Sequence, residues 1–448
     1  MNLNEIHKIY FVGIGGIGMS ALARYFNGLG CEVHGYDKTE TILTRKLTQE
    51  GMKIHYDDIV EKIPEGVDLV IYTPAIPKNH KELNYFLDHN YPVKKRAEVL
   101  GIISQNRKTI AIAGTHGKTS TCAILTYLLR TAGIDCTAFL GGIAQNYQSN
   151  FVEGKSDWVV VEADEFDRSF LHLSPDFSAI MSMDADHLDI YGDKNHMADG
   201  FTQFAGRLKE NGKVFLKYGL ELNERNDASE SFGIDNGNYQ SKNIRVEDGF
   251  FVFDFESPIE KIEKIKFTLP GRHNVENATA AIAIAQQLGV KGDSVKKAMA
   301  SFKGIKRRFE FIARTKQAVY IDDYAHHPTE LNAAIQATRA LFPKKKITGI
   351  FQPHLYSRTR DFVDGFADAL AQLDEIVLMD IYPARELPIK GVTSELIFEK
   401  IKNPNKVLVT KKTLMDQLKR GNFEILLTLG AGDIDTFVEP IKTLIVNE

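Results

Sequence analysis

Twice in this chain a short run rich in β-branched and aromatic residues breaks into glycine and resumes as helix. The first is "KIYFVGIGGIGMSALARYF" from Lys8; the second is "KTIAIAGTHGKTSTCAIL" from Lys108. A strand that ends in a glycine turn and feeds a helix is the opening half of a βαβ unit, which calls for a parallel sheet. The same alternation runs on. "EVHGYD" and "VDLVIYTP" follow the first loop, and "DWVVVEAD" and "FSAIMSMDADH" the second; then come "AVYIDDYAHHP", "ITGIFQPH", "EIVLMDIYP", "KVLVT" and "EILLTLGAGD". With 448 residues to place, the expectation is an α/β chain of three domains. These are an N-terminal Rossmann-like domain over 1–106, a central P-loop ATPase-like parallel sheet over 107–312 and a C-terminal Rossmann-like domain over 313–448. "IRVEDGFFVFDF" carries Asp-Gly between two β-rich runs, so a small antiparallel excursion is expected in the central domain. "KGIKRRFEFIAR" reads as the connector into the third domain.

Charge narrows the partners. The formal net charge is −4, which offers no global basic surface for a polyanion and argues against nucleic acid. The start, "MNLNEIHKIYFVGIGG", lacks a basic region followed by a long apolar run, and no segment approaches ~20 consecutive apolar residues. The reading is a cytoplasmic protein without a membrane span, a monomer or weak homodimer acting on small molecules. Cys31, Cys122 and Cys136 are widely spaced, which fits buried free thiols better than disulfides or a zinc site.

The second loop carries the chemistry. Backbone N–H groups of Gly114, Thr115, His116 and Gly117, leading into a helix at Lys118, form a nest for phosphate oxygens, and the helix dipole adds to it. Lys118 would reach the terminal phosphates and the Thr119 hydroxyl would ligate Mg²⁺. Hard oxygen ligands gather at the C-terminal ends of parallel strands. Glu162 ends "WVVVE", and "MDADHLD" offers Asp184, Asp186, His187 and Asp189; by hard-cation preference Asp186 is the choice among these. The first loop, Gly13 to Gly18, fits G-x-G-x-x-G, and Asp37 closes the second strand. Alone it describes an NAD-dependent oxidoreductase or a cradle for another diphosphate such as a nucleotide-sugar. Two anion cradles in one chain suggest ATP at one and a diphosphate substrate at the other.

At this point the motifs resemble the Mur ligase family. The stretches "GIGGIGMSALA", "TPAIP", "GTHGKTST", "VEADEFDRSFLHL", "DADHLDIYG", "GRHNVENATAA", "KRRFE", "DDYAHHPTE", "PHLYSRTRD" and "LGAGDI" occur in order along the whole chain. Within the family they lie nearest the branch that joins L-alanine to the lactyl carboxylate of UDP-N-acetylmuramate. The tripeptide-recycling branch, the alternative, diverges at "GIGGIGMS". The resemblance implies an ATP-dependent amide ligase working through an acyl phosphate and releasing ADP and phosphate.

It also implies roles. Lys118 holds the transferring phosphate, and Thr119, Glu162 and His187 hold Mg²⁺. Gly114 to Ser120, with His273, Asn274, Asn277, Arg308 and Asp323, bind ATP, the last at the ribose. Gly15, Gly16, Ile17 and Gly18 cradle the UDP diphosphate, with Thr73, Pro74 and Ala75 nearby and Asp37 toward the uridine. Tyr324, His326, His354 and Arg358 meet the amino acid and acyl phosphate, with His326 and Arg358 counted, like Lys118, Glu162 and His187, among the catalytic residues. The third domain is expected to close over the second.

Overall fold

The computed structural model describes residues 3–184, 194–223, 228–384 and 386–447. Its strands form three sheets. The chain divides into two compact units. The first is Met1–Lys242, Asp254–Ile265 and Glu276–Phe302; the second is Asn243–Phe253, Lys266–Val275 and Lys303–Glu448.

The first sheet contains β1 (Lys8–Val12), β2 (Glu32–Tyr36), β3 (Lys53–His55), β4 (Leu69–Tyr72) and β5 (Val93–Lys95), in the order β3-β2-β1-β4-β5. Every pairing is parallel. β1 is buried almost end to end, as a strand covered on both faces must be, which is why it reads as "KIYFV" without alternation. The strand order reverses between β1 and β4, so the crevice at their C-terminal ends is the place where such a sheet takes a ligand. Helix α1 (Ile17–Gly28) leaves β1 through the first glycine loop and buries Met19, Leu22 and Phe26.

The second sheet has ten strands. They are β6 (Lys108–Ala113), β7 (Thr137–Ala144), β8 (Ser149–Val152), β9 (Trp158–Ala163), β10 (Phe177–Ile180), β11 (Lys213–Lys217), β12 (Ser229–Ile234), β13 (Tyr239–Glu247), β14 (Phe250–Glu256) and β15 (Lys261–Phe267). Their order is β15-β14-β13-β12-β11-β10-β6-β9-β7-β8. β6 lies parallel between β9 and β10, which puts Glu162 level with Ile112. β13 and β14 are joined by Asp248 and Gly249 alone, both at positive φ (52° and 78°), the two-residue hairpin turn that the Asp-Gly pair signals.

One apolar core serves the first two sheets. Tyr25 and Phe26 of α1 meet Phe139 of β7 and Phe151 of β8, with Tyr25 ring centroids 5.5 Å and 6.2 Å from the latter two. Such ring pairs add about 0.5–1.5 kcal/mol each beyond the area they bury. Arg24 beside them grips Glu50 through Nε (2.7 Å) and Nη2 (2.9 Å) and donates from Nη1 to Asn150 on β8. Asn150 donates in turn to Ser20 Oγ at 2.9 Å. A buried cation with its donors used in this way fixes α1 against the second sheet.

The third sheet lies in the second unit: β16 (Glu310–Arg314), β17 (Val319–Asp323), β18 (Ile347–Phe351), β19 (Glu375–Met379), β20 (Lys406–Val409) and β21 (Ile425–Leu429), ordered β16-β17-β21-β18-β19-β20. All pairs are parallel except β16 with β17. Separate apolar clusters cover its two faces. Part of the stretch read as a connector is therefore strand: "EFIAR" is β16, with Phe311 stacked edge-on with Phe309 and under the Arg314 guanidinium. The basic run Lys306, Arg307 and Arg308 just before it, with Arg314 at its end, hid it. Cys31, Cys122 and Cys136 are buried free thiols, as expected. Among the described residues no helix is long and apolar enough to cross a membrane.

Candidate active site

Gly13 and Ile14 turn the chain after β1 by donating their N–H groups to Tyr36 O, at 2.8 Å and 3.0 Å. Gly13 stands at φ +88°, where glycine is at ease. Asp37, one residue beyond β2, accepts from Gly15 N–H at 2.7 Å, so this carboxylate shapes the loop itself. Gly16 then caps α1, leaving the N–H groups of Ile17 and Gly18 at the helix start.

The second loop is narrower. Gly114 (φ +123°) lies against the chain leaving β10: a Cβ there would come within 2.7 Å of Ser182 N. Ser182 Oγ accepts from His116 N–H at 2.8 Å and pairs with the Thr115 hydroxyl at 2.8 Å. Gly117 (φ +86°) caps helix α2 (Lys118–Thr131), and Asn277 Oδ1 would stand 2.6 Å from a Cβ at this glycine. Ser120 is buried on α2.

Lys118 Nζ donates to Gly114 O at 2.6 Å and to both oxygens of Glu165, at 2.9 Å and 2.6 Å. Burial disfavours its charge, but Glu165, Asp164 and Glu162 outweigh that and hold its pKa above the ordinary lysine value. Glu162, at the end of β9, accepts from Thr119 Oγ1 at 3.1 Å and from Gly141 N–H. Burial pushes its carboxyl up, against the pull of Gly141 N–H and Lys118. The Thr119 hydroxyl and Glu162 carboxylate together offer hard oxygen ligands beside the loop, a donor set that fits Mg²⁺. His187, with Asp186 and Asp189, lies outside the described residues. Asp184 N–H donates to Thr115 Oγ1 at 3.2 Å, and its carboxylate lies 3.5 Å from His116 Nε2.

The two loops share a space. A cavity of about 390 Å³ is lined by Gly16, Ile17, Gly18, Thr73 and Ala75 on one side and by Lys118, Gly141 and Glu162 on the other. It opens at the crevice where the first sheet reverses. Pro74 sits in the turn between Thr73 and Ala75, closed by Ile76 N–H to Thr73 O at 3.1 Å. Gly15 and Asp37 support the loop from behind and are not in the lining.

The remaining candidates, Asn277 apart, belong to the second unit. Asp323 ends β17; it accepts from Phe309 N–H and Ala325 N–H, each at 2.7 Å. Burial pushes its carboxyl up to about 6, with Arg308 opposing. The guanidinium carbons of Arg307 and Arg308 lie 5.2 Å and 5.0 Å from the Tyr324 ring centroid. His326 packs edge-on against Tyr324 and His354, its Nδ1 3.0 Å from Tyr324 O. Burial depresses the pKa of His326, with Glu330 opposing. Arg358 is buried on the helix Tyr356–Asp361. His273 and Asn274 sit in the first turn of the helix Arg272–Gln287; burial takes His273 down to about 4, and Asn274 Nδ2 donates to Pro270 O at 2.7 Å. Glu165, Asp164, Ser182 and Arg96 also surround the first unit's site, and sequence reasoning gave none of them a role. The run of acids in "VEADEFD" was the one available signal.

Family comparisons agree with this arrangement. Profiles described as Mur ligase family, catalytic domain, Mur ligase middle domain and Mur ligase, glutamate ligase domain match residues 8–108, 112–285 and 307–432. A UDP-N-acetylmuramate–L-alanine ligase of Flavobacterium psychrophilum is 52% identical over 446 residues, 99% of either chain, and its counterpart in Flavobacterium johnsoniae is 50% identical over 99% of either. The crystal structure of UDP-N-acetylmuramate-alanine ligase from Thermotoga maritima superposes with a TM-score of 0.85 at 28% identity, covering 98% of this chain and 100% of that one. With matches that span all three sheets, and the first glycine loop and Lys118 lining one cavity, the chain belongs to the Mur ligase family.

Proposed function

We propose that this chain is an ATP-dependent ligase that joins L-alanine to the lactyl carboxylate of UDP-N-acetylmuramate, releasing ADP and phosphate, in peptidoglycan precursor synthesis. The observation that carries the reading is the shared cavity: a diphosphate cradle at Gly16–Gly18 and a phosphate-loop lysine line the same space of about 390 Å³. The relatives at 50% identity and above bear the same name.

A carboxylate does not yield to an amine, because oxide is a poor leaving group. Phosphorylation by ATP converts it to a mixed anhydride, the amine adds to the acyl carbon, and phosphate departs. Positioning and charge neutralisation are then what the protein must supply. Lys118 and the N–H groups of Gly114 to Ser120 take the charge of the transferring phosphoryl group, which replaces Glu165 as the counter-charge of Lys118. Bound Mg²⁺ supplies further neutralisation of the phosphate oxygens; Thr119 and Glu162 would hold it, with His187 as the third ligand. In the first unit, Thr73, Pro74 and Ala75 border the sugar nucleotide, Asp37 holds the loop toward the uridine, and Asn277 contributes to adenine binding. In the second unit, His273 and Asn274 serve adenine, Asp323 and Arg308 serve the ribose and phosphates, and Tyr324, His326, His354 and Arg358 receive the amino acid and acyl phosphate. Burial holds the His326 imidazole toward its neutral form, so it can take the proton that the amine nitrogen sheds as it adds to the acyl carbon. The proposed domains are a UDP-sugar-binding one over 1–106, an ATP-binding one over 107–312 and an amino-acid-binding one over 313–448. The reaction belongs to the cytoplasm, where ATP is available.

The test is phosphate release by the purified chain with ATP, Mg²⁺ and UDP-N-acetylmuramate, adding amino acids one at a time. Release should begin only with L-alanine. Equal release without any amino acid contradicts a ligase, and release with tripeptide but not alanine assigns the chain to the recycling branch.

A further inference from the structure

Arg96 has no role in the account so far. It is the first residue of the helix Arg96–Asn106, directly after β5, and it lines the cavity together with Gly18, Lys118 and Asp164. Only 22% of its side chain is exposed. A guanidinium carries five N–H donors in a fixed planar fork and accepts nothing. Among the described residues this one makes a single hydrogen bond, from Nη2 to Asp164 Oδ2, and at 3.3 Å it is long for a charged pair. Its other side faces the first loop: a Cβ on Gly18 would stand 2.6 Å from Nη1, so the missing side chain leaves the fork flush against the start of α1.

A guanidinium placed only to balance Asp164 would gain from two short parallel bonds, as Arg24 gains from Glu50. Here most donors are open and turned to a cavity that already holds Lys118 and the helix start behind Gly18. An oxyanion entering that cavity would meet them in the planar, paired geometry that a guanidinium offers a carboxylate or phosphate.

We propose that Arg96 receives an oxyanion of the acid substrate, bidentately, between the two glycine loops, with Asp164 holding the fork in place until the substrate arrives. The inference rests on the function proposed above and names a binding residue for it. Two groups of UDP-N-acetylmuramate have this chemistry, its diphosphate and its lactyl carboxylate. UDP-N-acetylglucosamine keeps the first and lacks the second.

Calorimetric titration of the full chain with each nucleotide-sugar, for wild type, Arg96→Ala and Arg96→Lys, decides. Arg96→Ala should weaken UDP-N-acetylmuramate by about 10- to 100-fold, and Arg96→Lys, which keeps the charge but not the fork, should recover only part of this. Equal weakening of both ligands assigns the oxyanion to the diphosphate; weakening of UDP-N-acetylmuramate alone assigns it to the carboxylate. Should Arg96→Ala fail to fold, Arg96→Lys carries the decision: wild-type affinity for both ligands overturns the proposal. A wild-type chain that binds neither ligand sinks the functional reading and this inference with it. A wild-type chain that binds, beside variants that bind as tightly, sinks the inference alone.

Discussion

Tyr10 holds a fully buried hydroxyl between two titratable groups, 2.6 Å from Glu82 Oε2 and 2.7 Å from His55 Nε2. Ile59 N–H fixes the other Glu82 oxygen at 3.1 Å, and His55 Nδ1 lies 3.0 Å from Asp57 O. Burial pushes the Glu82 carboxyl up to about 7, with Tyr10, Ile59 and Lys62 opposing and Asp58 adding. Burial lowers the His55 pKa as well, against Asp57 and with Lys62 and His34. Tyr10 donates its hydroxyl to Glu82 Oε2 while lying against His55 Nε2, and Ile59 N–H donates to the other carboxyl oxygen, so two donors oppose the burial that keeps this carboxyl protonated. The ordinary carboxyl value is 4.5, so the raised Glu82 stabilises the fold fully below that pH and loses its contribution as the pH climbs through about 7. The full swing is roughly 3 kcal/mol. His55 works in the opposite direction, so the useful comparison is with Glu82→Gln, which keeps the shape and removes the proton. Hydrogen-exchange protection of β1 and β4 should fall from pH 5 to pH 8 by more in wild type than in the variant. Identical profiles would show that the carboxyl does not titrate in this window.

At the scale of elements, the phosphate loop depends on two glycines used for different reasons. Gly114 needs both its φ of +123° and its missing side chain, since a Cβ would meet the backbone nitrogens of Ser182 and Met181 at 2.7 Å and 2.9 Å. Gly133 has a φ of +88° with nothing within 4 Å. Gly114→Ala must push the loop off β10; its affinity for an ATP analogue, measured by titration, should drop at least about tenfold. Gly133→Ala pays only the backbone strain, about 1 kcal/mol, and should bind normally. If Gly114→Ala also bound normally, the loop would not be the nucleotide cradle. These loops were legible because glycine and lysine act through backbone geometry, which is local. The strand ends were legible too: Glu162 needed only β9 beside β6. What the sequence hid is what packing decides. Glu165 pairs with Lys118 from 47 residues away, Ser182 closes the loop from 66 away, and Arg96 reaches Asp164 across 68. Nor does composition reveal that Asn243–Phe253, the tip of the Asp-Gly hairpin, belongs to the second unit.

For the whole molecule, the chemistry asks that one carboxylate meet a phosphoryl group and then an amine, without water taking the amine's place. The first unit brings the Gly16–Gly18 cradle and Lys118 to one cavity, and the second carries Asp323, Tyr324, His326 and Arg308 together. If the acid is activated by phosphorylation, its oxygen attacks the γ-phosphorus, ADP leaves, and the later break of the acyl C–O bond carries that same oxygen away in phosphate. With ¹⁸O in both carboxylate positions of UDP-N-acetylmuramate, each phosphate released should contain one heavy oxygen and each amide should retain the other, by mass spectrometry. Lys118→Ala should abolish label transfer and amide formation together, since both follow from the one phosphoryl step, while its far-ultraviolet circular dichroism stays that of wild type. Amide formed with unlabelled phosphate would mean that ATP is spent elsewhere and that the two loops serve different reactions.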